Sequence, residues 1–105
     1  MTGEVTIYQN KQCLTVVGHI NFHTVIFLRQ LGENLMQTVD APVIDFNAVQ
    51  HCDSSGLALM MAWLRKANQL KKVIRFVHVP SALLAIADVC NVSELFKNLS
   101  SNSLV

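Results

Sequence analysis

The sequence predicts an α/β fold, a mixed β-sheet covered mainly by helices. Three observations predict it. Short β-type runs alternate with stretches of helical periodicity. Apolar residues make up 51% of the 105, enough to fill one real core. Pro42 and Pro80 stand at the boundaries between those runs. The resulting order is β-β-α-β-α-β-α. Right-handed crossovers then place both strand–helix–strand helices on one side of the sheet if its strands advance in one direction.

Each element has its own warrant. Glu4-Val5-Thr6-Ile7-Tyr8 alternates polar and apolar, Gln9 to Gln12 supplies a turn, and Cys13 to Ile20 follows as a second strand, so the pair reads as a hairpin. From Thr24 to Val39, the residues Val25, Leu28, Leu31, Leu35 and Met36 recur at helical spacing, with Gly32 as a mild flaw. Asp40-Ala41-Pro42 is expected to end that helix. Val43 to Phe46 is short and apolar, like a strand covered on both faces. A second helix is expected from Ser54 to about Lys72, a strand over Val73 to Val79, and a third helix from Pro80-Ser81 carrying Leu83, Leu84, Ile86, Ala87 and Val89. Val92 to Phe96 adds a last turn. The chain reads as one domain over 1–97, and the Ser- and Asn-rich tail 98–105 reads as frayed and disordered.

Composition removes several classes of function. Charged residues are 14% of the chain and the net charge is +1, which is no footprint for nucleic acid or an anionic membrane. Cys13, Cys52 and Cys90 are odd in number and form no Cys-x-x-Cys pair; they fit small core hydrophobes in a reduced, cytoplasmic setting. No signal peptide is expected at Met1-Thr2-Gly3-Glu4. The apolar run around Leu57 to Leu64 falls well short of the ~20 residues that span a bilayer. Low charge with positive hydropathy suggests that some apolar surface is meant for a partner.

The most informative stretch is Val43 through Leu59, where a β-type run leads to Asp53-Ser54-Ser55-Gly56 at a helix start. Ser54 or Ser55 can cap the helix, its hydroxyl accepting from orphan amides. Gly56 lacks a Cβ, so another backbone or a partner surface can come close. At ~100° per residue, Leu57, Leu59, Met60, Met61, Trp63, Leu64 and Leu70 cover a wide apolar arc. The opposite arc holds Ser54, Ala58, Ala62, Arg65, Lys66 and Gln69. Small residues below a hydroxyl, edged with cations, would let another protein lie close, and the same stripe reads equally as an ordinary solvated face. Leu57→Ala and Leu64→Ala are expected to cost roughly 2–5 kcal/mol each if both side chains are core.

Catalytic signatures are sparse. His19, His23, His51 and His78 show no metal-ligand spacing, so neither a metal nor a cofactor is expected. Ser54 beside His51 and Asp53 lacks a Gly-x-Ser-x-Gly elbow, and residues adjacent in sequence rarely make a triad. Asp45 and Asp53 read as a strand carboxylate and a loop residue rather than an acid/base pair. The chain reads as a non-enzyme.

Gly18-His19-Ile20-Asn21 followed by Leu28-Arg29, then Val43-Ile44-Asp45-Phe46, Asp53-Ser54-Ser55-Gly56-Leu57 and Asn91-Val92-Ser93-Glu94-Leu95-Phe96, resembles the STAS domain family over nearly the whole chain. The resemblance implies a mixed sheet with helices packed mainly on one face, and two branches of the family imply different functions. In anti-sigma factor antagonists the hydroxyl directly after the motif aspartate, here Ser54, is phosphorylated by an anti-sigma factor kinase. Such a phosphate adds about −1.5 to −2 charge at a packed helix end. In the small STAS subunits of phospholipid ABC transporters, the matching hydroxyl lies at the contact with the ATPase subunit, and through it the permease. The helix body from Gly56 to Leu64 is similar to the transporter branch. His19 and Asn21 depart from the acidic residues often found there, while Asp-Ser-Ser-Gly itself is the more antagonist-like spelling. The transporter branch implies a non-catalytic protein on the cytoplasmic side of the inner membrane, without membrane insertion of its own, serving outer-membrane lipid asymmetry. Its contact residues would be Ser54, Ser55, Ala58, Ala62 and Arg65, supported by Asp53 and Gly56.

Overall fold

The computed structural model describes residues 4–89. The expected closing turn at Val92 to Phe96, the tail 98–105 and Cys90 lie outside the described residues. Within them the order is β1 (Thr6–Asn10), β2 (Cys13–Ile20), α1 (Val25–Met36), β3 (Val43–Cys52), α2 (Ser55–Gln69), β4 (Arg75–Val77) and α3 (Ser81–Val89). The strands form one sheet in the order β1-β2-β3-β4. β1 and β2 are an antiparallel hairpin closed at Asn10 and Cys13, a tighter turn than the expected Gln9 to Gln12. β2, β3 and β4 run parallel. This is the expected mixed α/β sheet.

Strand alternation sorts side chains by face. Leu14, Val16 and Ile20 of β2, Ile44 and Phe46 of β3, and Phe76 of β4 are buried in a core shared with Leu28 and Met36 of α1, Leu59, Met60, Trp63 and Leu64 of α2, and Leu83 and Ala87 of α3. Their alternates Cys13, Thr15, Val17, His19, Val43 and Asp45 are only half-buried. Helices therefore cover one face, which corrects the expectation that both faces of the Val43–Phe46 segment would be covered. β3 is also longer than expected, running on to Cys52. Asn47, Ala48, Gln50 and His51 are weak strand formers, yet residues from Ala48 to Cys52 pair with Val17 to Ile20, with one register shift just before that stretch and one within it. Pairing partners decide β-structure more than local preference does.

The helix ends are also set by tertiary contacts. Asn21 closes the turn that leads into α1, its Oδ1 accepting the amides of His23 at 2.8 Å and Thr24 at 3.1 Å, while the N-cap Thr24 makes no side-chain cap bond. α1 stops at Met36, short of the expected Val39 and well before Pro42. Lys72 Nζ donates to the carbonyls of Met36 (2.9 Å), Gln37 (3.3 Å) and Val39 (2.7 Å), satisfying groups the helix leaves open. α2 stops at Gln69 rather than Lys72, because Lys71 turns left-handed (φ 57°). The amides of Lys71 and Lys72 then close on the carbonyls of Asn68 (3.1 Å) and Ala67 (2.9 Å), a Schellman motif. That turn delivers Lys72 to the end of α1.

Gly32 is more than a flaw in α1. A Cβ there would lie 2.5 Å from the Trp63 indole, so the missing side chain is the seat for the ring. Trp63 is fully buried, its Nε1 donating to the Arg29 carbonyl at 3.2 Å.

Candidate partner-binding face

The Asp53–Gly56 junction is built by the aspartate rather than by a serine. Asp53 continues the ladder, its amide donating to the Ile20 carbonyl at 3.1 Å. Its Oδ1 accepts the Ser55 amide at 2.8 Å and its carbonyl accepts the Gly56 amide at 3.0 Å. Ser54 holds the N-cap position in helical geometry (φ −64°, ψ −15°) without a side-chain cap bond. The expected serine cap is thereby corrected: an aspartate accepts over two residues from a turn, so no serine hydroxyl is needed. Ser54 stays exposed, and its hydroxyl has no hydrogen-bond partner among the described residues.

Gly56 serves the fold. A Cβ there would run into Cys52 Sγ and come within 2.9 Å of Leu83 of α3, so its close approach is to its own chain, not to a partner surface. Burial pushes the half-buried Cys52 thiol up to about 11; the Asp53 carboxylate adds to the rise, and the hydrogen bond with the Gly56 backbone opposes it. At neutral pH the thiol is protonated and a poor nucleophile.

Along α2, Ser54, Ala58, Ala62 and Arg65 fall on one stripe at helical spacing. Ser54, Ala58 and Arg65 are exposed, and Ala62 is the buried member. Ser55 turns toward the interior and is half-buried, so it stands off that stripe. The helix buries Leu59, Met60, Trp63, Leu64 and Ala67 on the other side, while Leu57, Met61 and Leu70 are only half-buried. Of the expected exposed arc, Ser54, Ala58, Arg65 and Gln69 are exposed, while Lys66 is half-buried and Ala62 buried. Helical spacing does not reveal α1's share in this face: Val25, Ile26 and Arg29 face Ala58, Met61, Ala62 and Arg65 across an open groove.

Other polar groups stand apart from this face. Asp45 Oδ1 accepts the Asn47 amide at 2.8 Å and meets His78 Nδ1 at 2.9 Å. Asp53 lies eight residues further on, ~26 Å along an extended strand at about 3.3 Å per residue, so the two carboxylates do not form a pair. His19 meets His51 across β2 and β3, ring centroids 6.0 Å apart. Among the described residues no three metal-ligating side chains converge, and no helix is long and apolar enough to cross a membrane.

A hairpin leading into a parallel sheet, helices on one face and an Asp-Ser-Ser-Gly turn opening the second helix together define a STAS-type domain. The chain belongs to the STAS family: the family model described as "Mlab, STAS domain" matches residues 4–99. It is 35% identical over 93 residues to the intermembrane phospholipid transport system binding protein MlaB of Haemophilus influenzae, covering 85% of this chain and 89% of that one. Among solved structures, the anti-sigma factor antagonist SpoIIAA in its unphosphorylated form superposes with a TM-score of 0.64. That match covers 87% of this chain and 84% of the other at 14% identity, a likeness of fold.

Proposed function

We propose that this protein is a non-catalytic STAS subunit of a phospholipid transport system, docking on the ATPase of an inner-membrane ABC transporter and holding it in an assembled, active arrangement. Such a transporter would maintain outer-membrane lipid asymmetry, with the STAS subunit on its cytoplasmic side. The observation that carries this reading is the 35% identity, over most of both chains, to a protein named for phospholipid transport. The stripe of Ser54, Ala58 and Arg65 supports it as the contact. It is exposed and low in charge, and its hydroxyl is not spent on capping. Asp53 and Gly56 act behind it by shaping the turn.

The test is binding of the purified ATPase subunit. Ser54→Glu or Ala58→Arg is expected to weaken docking at least tenfold while the thermal melt of the isolated domain stays unchanged. Normal binding by both variants sinks the proposed face.

A second reading is favoured by one observation, the free and exposed Ser54 hydroxyl directly after Asp53. As an anti-sigma factor antagonist, the protein would bind its kinase only while Ser54 is unmodified, since a phosphate brings about −1.5 to −2 charge into the contact. Affinity purification from native cells separates the two. An ABC ATPase with its permease and unmodified Ser54 supports the transporter; a small kinase with partly phosphorylated Ser54 supports the switch.

A further inference from the structure

The face assigned to docking is one wall of a groove. Between α1 and α2 the surface sinks into a cavity of about 510 Å³, walled by Val25, Ile26 and Arg29 on one side and Ala58, Met61 and Arg65 on the other. Its lining is mainly apolar, and Ile26 in one wall is 64% exposed. Leaving such side chains in water forfeits about 25 cal/mol for each Å² that a partner could cover.

The charges in the lining are all of one sign. Arg29 and Arg65 are the ionisable residues there, and no carboxylate joins them. Arg29 reaches Glu33 only at 3.8 Å, through Nε on an exposed side chain, a weak pair that water screens. Arg65 has no ion-pair partner among the described residues. Shape adds a further constraint. α1 and α2 each lead from one parallel strand to the next, so they run in the same direction, and the trough between them has the form that receives a third helix.

Resting on the docking reading above, we propose that the groove's occupant is a single amphipathic helix of the ATPase subunit. Its apolar side chains seat over Ala58 and Ala62, and carboxylates along its edges pair with Arg29 and Arg65. A second copy of this chain fits poorly, because two facing grooves would oppose guanidinium to guanidinium. A bilayer fits poorly too. The surface is concave, the chain's net charge is only +1, and two arginines are no polybasic cluster.

The experiment measures affinity of the full-length chain for the purified ATPase subunit at low and high salt, with Arg29→Glu, Arg65→Glu, the double reversal and Ala58→Arg. Each single reversal is expected to weaken binding roughly tenfold and the double roughly a hundredfold. Wild-type affinity falls with salt and the double variant loses that dependence. Circular dichroism melts of each variant establish that the fold is kept. Reversals that bind like wild type, while Ala58→Arg abolishes binding, overturn the acidic helix and leave the groove. If Ala58→Arg also binds normally, the docking reading itself falls. Arginine-dependent binding to phosphatidylglycerol vesicles, or arginine-dependent self-association in sedimentation, likewise overturns the proposal in favour of a membrane or a second copy.

Discussion

The pairing of α1 with α2 is built in two opposite ways along its length. At Gly32 the chain gives up a side chain so that the Trp63 indole can fill the space, and the ring is anchored by its bond to the Arg29 carbonyl. At Ala58 and Ala62, facing Val25 and Ile26, the chain also uses small side chains, yet nothing of its own fills the space. Small residues thus have two meanings on one helix pair. Where a bulky neighbour occupies the gap, the smallness serves the fold; where the gap stays open beside exposed apolar groups, it serves a contact.

The strongest way to break the closed part is Trp63→Ala. It removes the largest fully buried side chain of the core, which also packs against Phe46 at a centroid distance of 6.5 Å. A loss of about 3–5 kcal/mol is expected from urea denaturation. A loss under about 1 kcal/mol would mean that the seam collapses around the vacancy and that Gly32 is not a seat.

Gly32→Ala sharpens the same point through its sign. In the native background the added methyl meets the indole, and overpacking is expected to cost about 1–3 kcal/mol. In the Trp63→Ala background the obstruction is gone, and the usual preference of helices for Ala over Gly is expected to stabilise by about 0.5–1 kcal/mol. The coupling is read from a double-mutant cycle. A substitution with the same sign in both backgrounds removes the argument.

These two residues also show what a linear reading can and cannot reach. Trp63 in an apolar arc and Gly32 within a helix are both legible, but their contact joins positions far apart in the chain. Gly32 therefore reads as a defect until the helices are laid side by side. The element order and most of the core were legible because periodicity is a local property. Strand β3 beyond Phe46 was not, because Ala48 to Cys52 hold their conformation through β2. At the candidate face, the exposed arc of α2 was legible from helical spacing. The opposing wall from α1 was not, since no spacing rule says which helix will lie next to which.

Lys72 tests the far end of the pair. Its ammonium closes three carbonyls at the end of α1 from the turn after α2, tying the two helices together by charge-assisted bonds. Lys72→Met keeps the aliphatic stem and removes the donors. It is expected to cost about 1–2 kcal/mol, with amide exchange rising selectively in the last turn of α1. Uniform exchange across the helix would instead mean that Lys72 contributes only general packing.

The smallest expected effect on folding belongs to the open part. Ala58 is exposed, lies in the first turn of α2, and looks onto an open groove rather than into the core. Arginine is nearly as good a helix former as alanine. Ala58→Arg should therefore change stability by no more than about 0.5 kcal/mol, whereas Trp63, five residues further along the helix, tolerates no comparable change. An unchanged melt together with lost ATPase binding separates the two kinds of small-residue site in a single variant. A large destabilisation would mean that the groove is part of the core after all, and that its small residues are there to be filled from within.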